Sequence, residues 1–354
     1  MEDRRKVLII GGGPAGMEAA YCLACFGYQV LLVEREKYLG GRLLHLDRLY
    51  TSMEEAAVLL EALKARVNAS PLIETCLETI PENIQKVNDV FEVTLSRESK
   101  SCVEKVGAVI LATGAAYFDT EKCAEYGYGR YDGVLNSLDF EKLLQSARAG
   151  RGPFSAAGKL PQRVAFFQCV GSRKRAGAGS QGWPYCSKIC CMYTAKQARQ
   201  LRELLPDSEC YVFYMDVRAA GREYEEFLRE TMEKNRVRYV RGRPAKVFPN
   251  EGGLLIRAED TLIGCPIELE VDLVVLAAAL EPSSETVELA RMLQLPTDAY
   301  GFLRSCSGTE LLKAGEGVFF AGACEFPKGI EESRIQGQAA ARSAASYLNA
   351  RGSV

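Results

Sequence analysis

A single histidine, His45, stands in a chain of 354 residues. That scarcity argues against Ser-His-Asp and Cys-His catalytic arrangements and against histidine-rich metal sites. An excess of one charge sign is lacking too. With 44 Lys+Arg against 46 Asp+Glu, a net charge of −2, the chain carries no basic footprint for nucleic acid or an anionic membrane. Long apolar runs are also missing. The most apolar stretch, Val271 to Leu280, is interrupted by Asp272 and falls far short of the roughly 20 residues that span a bilayer. The opening MEDRRKVLII has no extended apolar region or small-residue cleavage site, so a cytoplasmic protein without membrane insertion is expected. What the chain has in quantity is cysteine, 13 residues. In a reducing compartment these point to free thiols and metal ligation rather than to disulfides. The length makes two domains the default.

Lys6 to Ile10 reads as a short buried strand, followed by Gly11-Gly12-Gly13-Pro14-Ala15-Gly16 and a helical pattern to Phe26. In such a strand–turn–helix, Gly11 permits the turn, Gly13 lets backbone approach a pyrophosphate, and Gly16 lets helix and strand pack closely. Tyr28 to Val33 reads as the second strand. It ends at Glu34, about 20 residues on, where a carboxylate can accept from ribose hydroxyls. Leu39-Gly40-Gly41-Arg42 follows, and Val106 to Leu111 leads into Ala112-Thr113-Gly114. Both blocks resemble signatures of the FAD family that includes thioredoxin reductase. That resemblance implies FAD, a second α/β domain inserted into the first, and a return strand, which Gly317 to Cys324 supplies before a helix from about Glu331 to Leu348. The family's usual Gly-Asp on that strand is Gly322-Ala323 here.

Arg163 to Gln168 reads as the first strand of the insert, yet Cys169-Val170-Gly171-Ser172 follows where a second glycine fingerprint belongs. A literal G-x-G-x-x-G, Gly177 to Gly182, comes later, after Arg173-Lys174-Arg175 and before Trp183-Pro184. It neither follows a strand at once nor opens a helix, and is read as a loop. Cys186 begins a helical pattern to about Leu205, ended by Pro206, with Cys186 and Cys190 four apart on one face and Cys191 one step round. Cys169, Cys186, Cys190 and Cys191 thus form C-x16-C-x3-C-C. The residues alone allow an iron–sulfur cluster, a structural zinc, or buried apolar thiols.

Cys169 to Arg173 with Tyr185 to Tyr193, Glu125 to Tyr131, Asn136 to Leu144, and Pro327 to Ser333 with Gln336 resemble the A-type component of heterodisulfide reductase and its relatives in sulfur metabolism, over nearly the whole chain. The resemblance implies that Cys169, Cys186, Cys190 and Cys191 hold a [4Fe-4S] cluster and that Lys196 approaches the flavin N5, a role a surface lysine would not otherwise suggest. It implies an FAD set of Gly11, Gly13, Pro14, Ala15, Gly16, Glu34, Arg35, Gly41, Arg42, Ala112, Thr113, Gly114, Gly322, Ala323 and Ile330. It also implies heterodisulfide-reductase B/C-like or other electron-transfer partners, and a homodimer. The longer members of the family carry ferredoxin-like cysteine runs that are missing here, which places the chain nearer the compact form of sulfur-oxidising and sulfate-reducing systems.

Cys22 and Cys25 are expected to be core packing inside the first helix. Cys76, Cys102, Cys123, Cys210, Cys265, Cys306 and Cys324 stand isolated, and His45 could lie at the surface or face the flavin. The fold expected is α/β, a two-dinucleotide-domain flavoprotein: an FAD domain over 1–152 and 282–354 and a degenerate, cysteine-bearing domain over 153–281. The function expected is that of an FAD and [4Fe-4S] electron-transfer subunit. The alternatives are a self-sufficient NAD(P)H-dependent flavin reductase and a flavin-binding scaffold with structural zinc.

Overall fold

Apolar runs of four to six residues become central parallel strands, and the computed structural model shows two such sheets. It describes residues 5–352 apart from 99, 152–153, 156–157, 175–180 and 309. The chain begins with β1 (Lys6–Ile10), α1 (Pro14–Cys25), β2 (Gln29–Val33), α2 (Ala56–Asn68) and β3 (Ile73–Cys76). A meander of β4 (Thr79–Val87), β5 (Val90–Arg97) and β6 (Lys100–Val106) leads to β7 (Ala108–Leu111) and the crossing strand β8 (Ala115–Tyr117). Next come β9 (Val134–Asn136), α3 (Ser137–Arg148), β10 (Arg163–Val170), α4 (Cys190–Leu204), β11 (Glu209–Tyr214), α5 (Tyr224–Glu233) and β12 (Arg238–Arg241). A second meander, β13 (Lys246–Asn250), β14 (Gly253–Asp260) and β15 (Cys265–Val271), precedes β16 (Leu273–Ala278). The return is β17 (Leu280–Pro282), α6 (Ser284–Met292), β18 (Lys313–Gly315), β19 (Val318–Phe320) and α7 (Ile330–Gly352).

Two compact units result: residues 1–44, 57–116 and 281–354, and residues 45–56 with 117–280. The first crossing therefore lies near 116 rather than 152, because β9 pairs in parallel with β16 and α3, capped by the Asn136 side chain, packs on that sheet. Residues 45–56 also join the second unit, which sequence reasoning did not foresee.

The first unit is built on a sheet ordered β18-β19-β7-β1-β2-β3, the second on β12-β11-β10-β16-β9. In each, the first strand of the unit's fold is flanked by the strand after a helix and the strand after a meander: β7-β1-β2 and β16-β10-β11. This is the place where open α/β sheets form a crevice beyond their strand ends. Leu8, Ile10, Leu31, Val33, Val109 and Leu111 anchor one core, and Phe140, Leu144, Val164, Phe166, Leu273 and Val275 another.

Candidate functional site

In the first unit the turn after β1 is dictated by space. Gly11 has φ +110°, a backbone region side chains rarely adopt, and a Cβ on Gly16 would overlap the Gly11 carbonyl oxygen. Gly13, the N-cap of α1 in extended conformation, has only Gly41 Cα within reach, at 4.0 Å from where its Cβ would be. Gly13 and Gly41 thus face each other as bare backbone. Pro14 at N1 lacks an N–H, and the N–H groups that follow lie in the turn where a helix has no internal acceptors and a positive dipole end. The return segment closes on the same corner. Gly322, φ +81°, would bring a Cβ to 3.0 Å from Ala15, and a Cβ on Gly337 of α7 would strike the Ala15 backbone. Gly322 N–H donates to Gln336 Oε1 at 2.7 Å, and Ala323 and Ile330 flank this corner half-buried. A pyrophosphate fits this cradle, because the side chains that would fill it are missing where the backbone approaches most closely.

Glu34 differs in detail from expectation. Its Oε2 accepts from the Gly12 N–H at 2.7 Å and its Oε1 from Glu36 N–H at 3.0 Å, so it is first a buried clamp on the glycine turn. Each carboxylate oxygen keeps a lone pair for a ribose hydroxyl. Arg35 is exposed and pairs with Glu36 and Glu285, while Arg42 donates to the Ala115 carbonyl. Thr113 Oγ1 lies 2.6 Å from Thr286 Oγ1, and Gly114, φ +72°, has open space around it; Ala112 backs the Gly11 turn.

In the second unit Cys169 stands where the first unit has its glycine turn, in register with Gly12. It lies one residue before the end of β10 with φ +60°, just where the β10–β16 register shifts between Phe167 and Val170. A non-glycine residue in that conformation costs about 1–3 kcal/mol, and such residues persist chiefly at functional sites. Gly171, φ +78°, follows, its missing Cβ leaving room for the Phe118 ring. The loop then returns on itself. Trp183 N–H donates to Gly171 O at 2.8 Å, Lys174 N–H to Trp183 O at 3.0 Å and Arg173 N–H to Tyr185 O at 2.9 Å. These bonds bring Cys186 back toward the strand that carries Cys169. Of the glycine-rich loop and basic triplet, Arg175 and Gly177 to Ser180 lie outside the described residues.

Cys186 is not on α4, contrary to expectation. Lys188 has φ +61° and the helix starts at Cys190, because Ser187 is buried and held by Leu280 N–H. Cys190 and Cys191 occupy its first turn, where the dipole favours thiolate. Cys169, Cys190 and Cys191 are buried together with Tyr193 and Ala277; Cys186 is half-buried.

N–H groups point at these sulfurs: Lys188 N–H to Cys186 Sγ at 3.3 Å and Arg218 N–H to Cys191 Sγ at 3.4 Å. Hydrogen bonding with Cys190 holds Cys169 down to about 7 against its burial, helped by the neighbouring Arg173 guanidinium. The same bonds, with one to Cys191 and with burial, push Cys190 well up; Cys191 is held low. Among the described residues no group of three or more Cys, His, Asp or Glu side chains is arranged to enclose a single metal ion. Three thiols, Cys169, Cys190 and Cys191, are thus buried together, and N–H donors meet the sulfurs of Cys186 and Cys191.

Lys196 is 1% exposed, not a solvated surface lysine. Its Nζ donates to Glu141 Oε1 at 2.5 Å and to Arg48 O at 2.9 Å. Glu141 also accepts from Gln197 Nε2 at 2.8 Å and Asp47 N–H at 2.9 Å. Asp47 in turn accepts from Arg148 Nε at 2.9 Å and from Gln200. Residues 45–56 are thus drawn into this unit by buried charge. The burial of Glu141 and Asp47 was the signal sequence reading lacked.

The other cysteines divide by exposure. Cys22 is half-buried and Cys25 exposed, so they are not core packing. Cys123, Cys210 and Cys324 are buried thiols, raised by burial, to about 12 at Cys324. His45 is exposed. No helix among the described residues is long and apolar enough to cross a membrane.

Residues 5–148 match the pyridine nucleotide-disulphide oxidoreductase family. An A-type iron-sulfur subunit of the CoB–CoM heterodisulfide reductase of Methanopyrus kandleri, the second of two in that organism, is 31% identical over 427 aligned residues, covering 98% of this chain and 64% of that protein. Its counterpart in the CoB–CoM heterodisulfide reductase of Methanocaldococcus jannaschii is 31% identical over 423, covering 96% and 64%. The chain therefore spans somewhat less than two thirds of these relatives, and alignments longer than its own 354 residues mean that they carry insertions it lacks. In fold it resembles the thioredoxin reductases of Lactococcus lactis (TM-score 0.64, 17% identity, covering 98% and 99%) and T. acidophilum (0.63, 16%, 99% and 100%). The chain is a homologue of the A-type iron-sulfur subunits of CoB–CoM heterodisulfide reductases, with a thioredoxin-reductase-like α/β fold that implies FAD.

Proposed function

We propose that this chain is an FAD- and [4Fe-4S]-containing electron-transfer subunit of a heterodisulfide-reductase-like complex in cytoplasmic sulfur metabolism. The observation that carries the reading is the exchange at the end of β10. A position that would bear a nicotinamide-binding glycine turn bears a strained cysteine, two more cysteines are buried with it, and N–H donors are aimed at the sulfurs of Cys186 and Cys191. Bound between Cys169, Cys186, Cys190 and Cys191, a cluster would pass electrons singly, and FAD would take them singly or in pairs.

In this proposal the Gly11 to Gly16 turn, Gly41 and the Gly322 corner hold the flavin's pyrophosphate by backbone. Arg35, Arg42, Ala112, Thr113, Gly114, Ala323 and Ile330 complete the flavin set. Lys196 keeps the resemblance's role of a cation for the flavin, and Glu141 orients it. Heterodisulfide-reductase B/C-like or other electron-transfer proteins stand at the ends of the chain's electron path, and the chain pairs with a second copy. The relatives' names, which describe iron-sulfur subunits, support the cysteine assignment.

Anaerobic stopped-flow mixing tests this reading. NADH and NADPH are expected to reduce the flavin poorly, while a low-potential viologen reduces it fast. Rapid stoichiometric bleaching by either nicotinamide would favour the self-sufficient reductase instead.

A further inference from the structure

We propose that Glu285, on the first turn of α6, is a positioning residue for the adenosine half of the flavin, acting by holding Arg35 beside the ribose carboxylate. The inference rests on the FAD assignment above and adds a residue and an element that the assignment does not use.

The strands β7, β1 and β2 run parallel side by side, so their carboxyl ends share the edge of the sheet where a dinucleotide lies. The first turn of α6, in the same unit, reaches both flanks of that edge. On one flank the fully buried Thr286 has its Oγ1 2.6 Å from Thr113 Oγ1 and 3.5 Å from the Gly114 carbonyl oxygen, just past β7. Ser283, the N-cap, completes a chain of three hydroxyls. Its Oγ lies 2.8 Å from Thr286 Oγ1 and accepts from the Thr286 N–H at 3.2 Å. On the other flank Glu285 Oε2 stands 3.6 Å from Arg35 Nη1, just past β2. One helical turn therefore joins the strands on either side of β1, whose own end is the glycine turn.

Arg35 is placed by two carboxylates. Its Nε is 3.4 Å from Glu36 Oε1, and its Nη1 faces Glu285. Glu36 is itself anchored, its N–H donating to Glu34 Oε1 at 3.0 Å and its carbonyl accepting from Glu78 N–H at 3.2 Å. The guanidinium thus sits one residue past the carboxylate that can take the ribose hydroxyls, and with 48% of its side chain exposed it keeps a planar face and donors for a purine beyond.

Glu285 is not an ordinary solvated partner. Its side chain is only 19% exposed. Burial raises its carboxyl, Arg35 opposes the rise and Glu34 adds to it. A carboxylate drawn out of water beside another carboxylate is unfavourable unless a cation answers it, and Arg35 is that cation. Untethered, an exposed arginine would lose rotamer freedom on meeting the ligand; tethered, it has lost that freedom beforehand.

The test follows flavin release from the full-length holoprotein on dilution, read by flavin fluorescence, with ADP and FMN as competitors that each carry one half of FAD. Glu285→Gln is expected to weaken FAD and ADP about fivefold each and to leave FMN competition unchanged. Arg35→Gln should weaken FAD and ADP at least as much. Adding Glu285→Gln to Arg35→Gln should change little further, because Glu285 acts through Arg35. If Glu285 acted on the ligand only by its charge, removing it would tighten the binding of anionic FAD in both backgrounds; tightening or unchanged affinity overturns the role. Equal weakening of FAD and FMN overturns it as well, since α6 would then serve the shape of the whole crevice. Should Glu285→Gln fail to fold, Glu285→Asp, which keeps the charge and shortens the reach, carries the same comparison, and native affinity for ADP there overturns the role. A native chain that neither holds nor binds FAD sinks the FAD assignment itself.

Discussion

Gly11, just past β1, and Cys169, near the end of β10, lie at the ends of the central strands of two similarly ordered sheets, both with positive φ, +110° and +60°. At Gly11 the left-handed backbone is adopted by the residue that strains least there, and the missing side chain leaves room for the Ala112 carbonyl. At Cys169 the same kind of turn is kept by a residue that costs about 1–3 kcal/mol there, and the side chain is what the site uses. In the function proposed here, one doubly wound frame supports two kinds of binding: through backbone N–H groups in one unit and through sulfur in the other. The helices that follow differ accordingly. The helix α1 buries Ala15, Gly16, Met17, Ala19 and Ala20, whereas α4 buries Cys190, Cys191, Lys196, Gln197 and Gln200.

The strongest way to break the comparison is to empty each site alone. Gly13→Val fills open space at the phosphate face, so flavin should be lost with iron and sulfide retained. Cys169→Ser or Cys190→Ser should do the reverse, and Cys186→Ser likewise. Flavin absorbance with iron and sulfide assays reads both, and parallel loss of both cofactors in every variant would mean the two sites are one cooperative unit.

Next in size is the buried charge on α4. Lys196→Met leaves the Glu141 carboxylate buried without its cation, which costs about 3–5 kcal/mol, read by denaturant unfolding. In the proposal of a cation for the flavin, Lys196→Ala also lowers the flavin potential with iron content unchanged. A stable variant with an unmoved potential would remove Lys196 from both roles.

Gly16→Ala comes third. Its Cβ would overlap the Gly11 carbonyl, an overpacking of about 3 kcal/mol, whereas flavin-free Gly13→Val should unfold within about 1 kcal/mol of the native chain. The smallest effect is expected at Cys191→Ser, with partial iron retention, because the adjacent Cys190 and the Arg218 N–H keep the site's shape.

Much of the first unit could be read from sequence, because its signals are local. Strand, glycine turn, helix, strand and acid occur in order from Lys6 to Glu34, and each is specified within a few residues. The second unit was less legible for a physical reason. Cys186 looked helical by its four-residue spacing to Cys190, but the start of α4 is set by Ser187, whose hydroxyl is held by Leu280 N–H, 93 residues away. Lys196 looked solvated because its partners, Glu141 and the Arg48 carbonyl, are 55 and 148 residues distant. The crossing at 116 was hidden because β9 is only three residues long and gains its place by pairing with β16.

The central claim is that sulfur, not glycine, makes the second site. The most direct measurement is the composition of the native protein purified without oxygen: FAD, iron, acid-labile sulfide and zinc per chain. The expected result is one FAD, with iron and sulfide in the amounts of one [4Fe-4S] cluster and no zinc. Stoichiometric zinc without acid-labile sulfide would contradict it and make the cysteines a structural metal site on a flavin-binding scaffold.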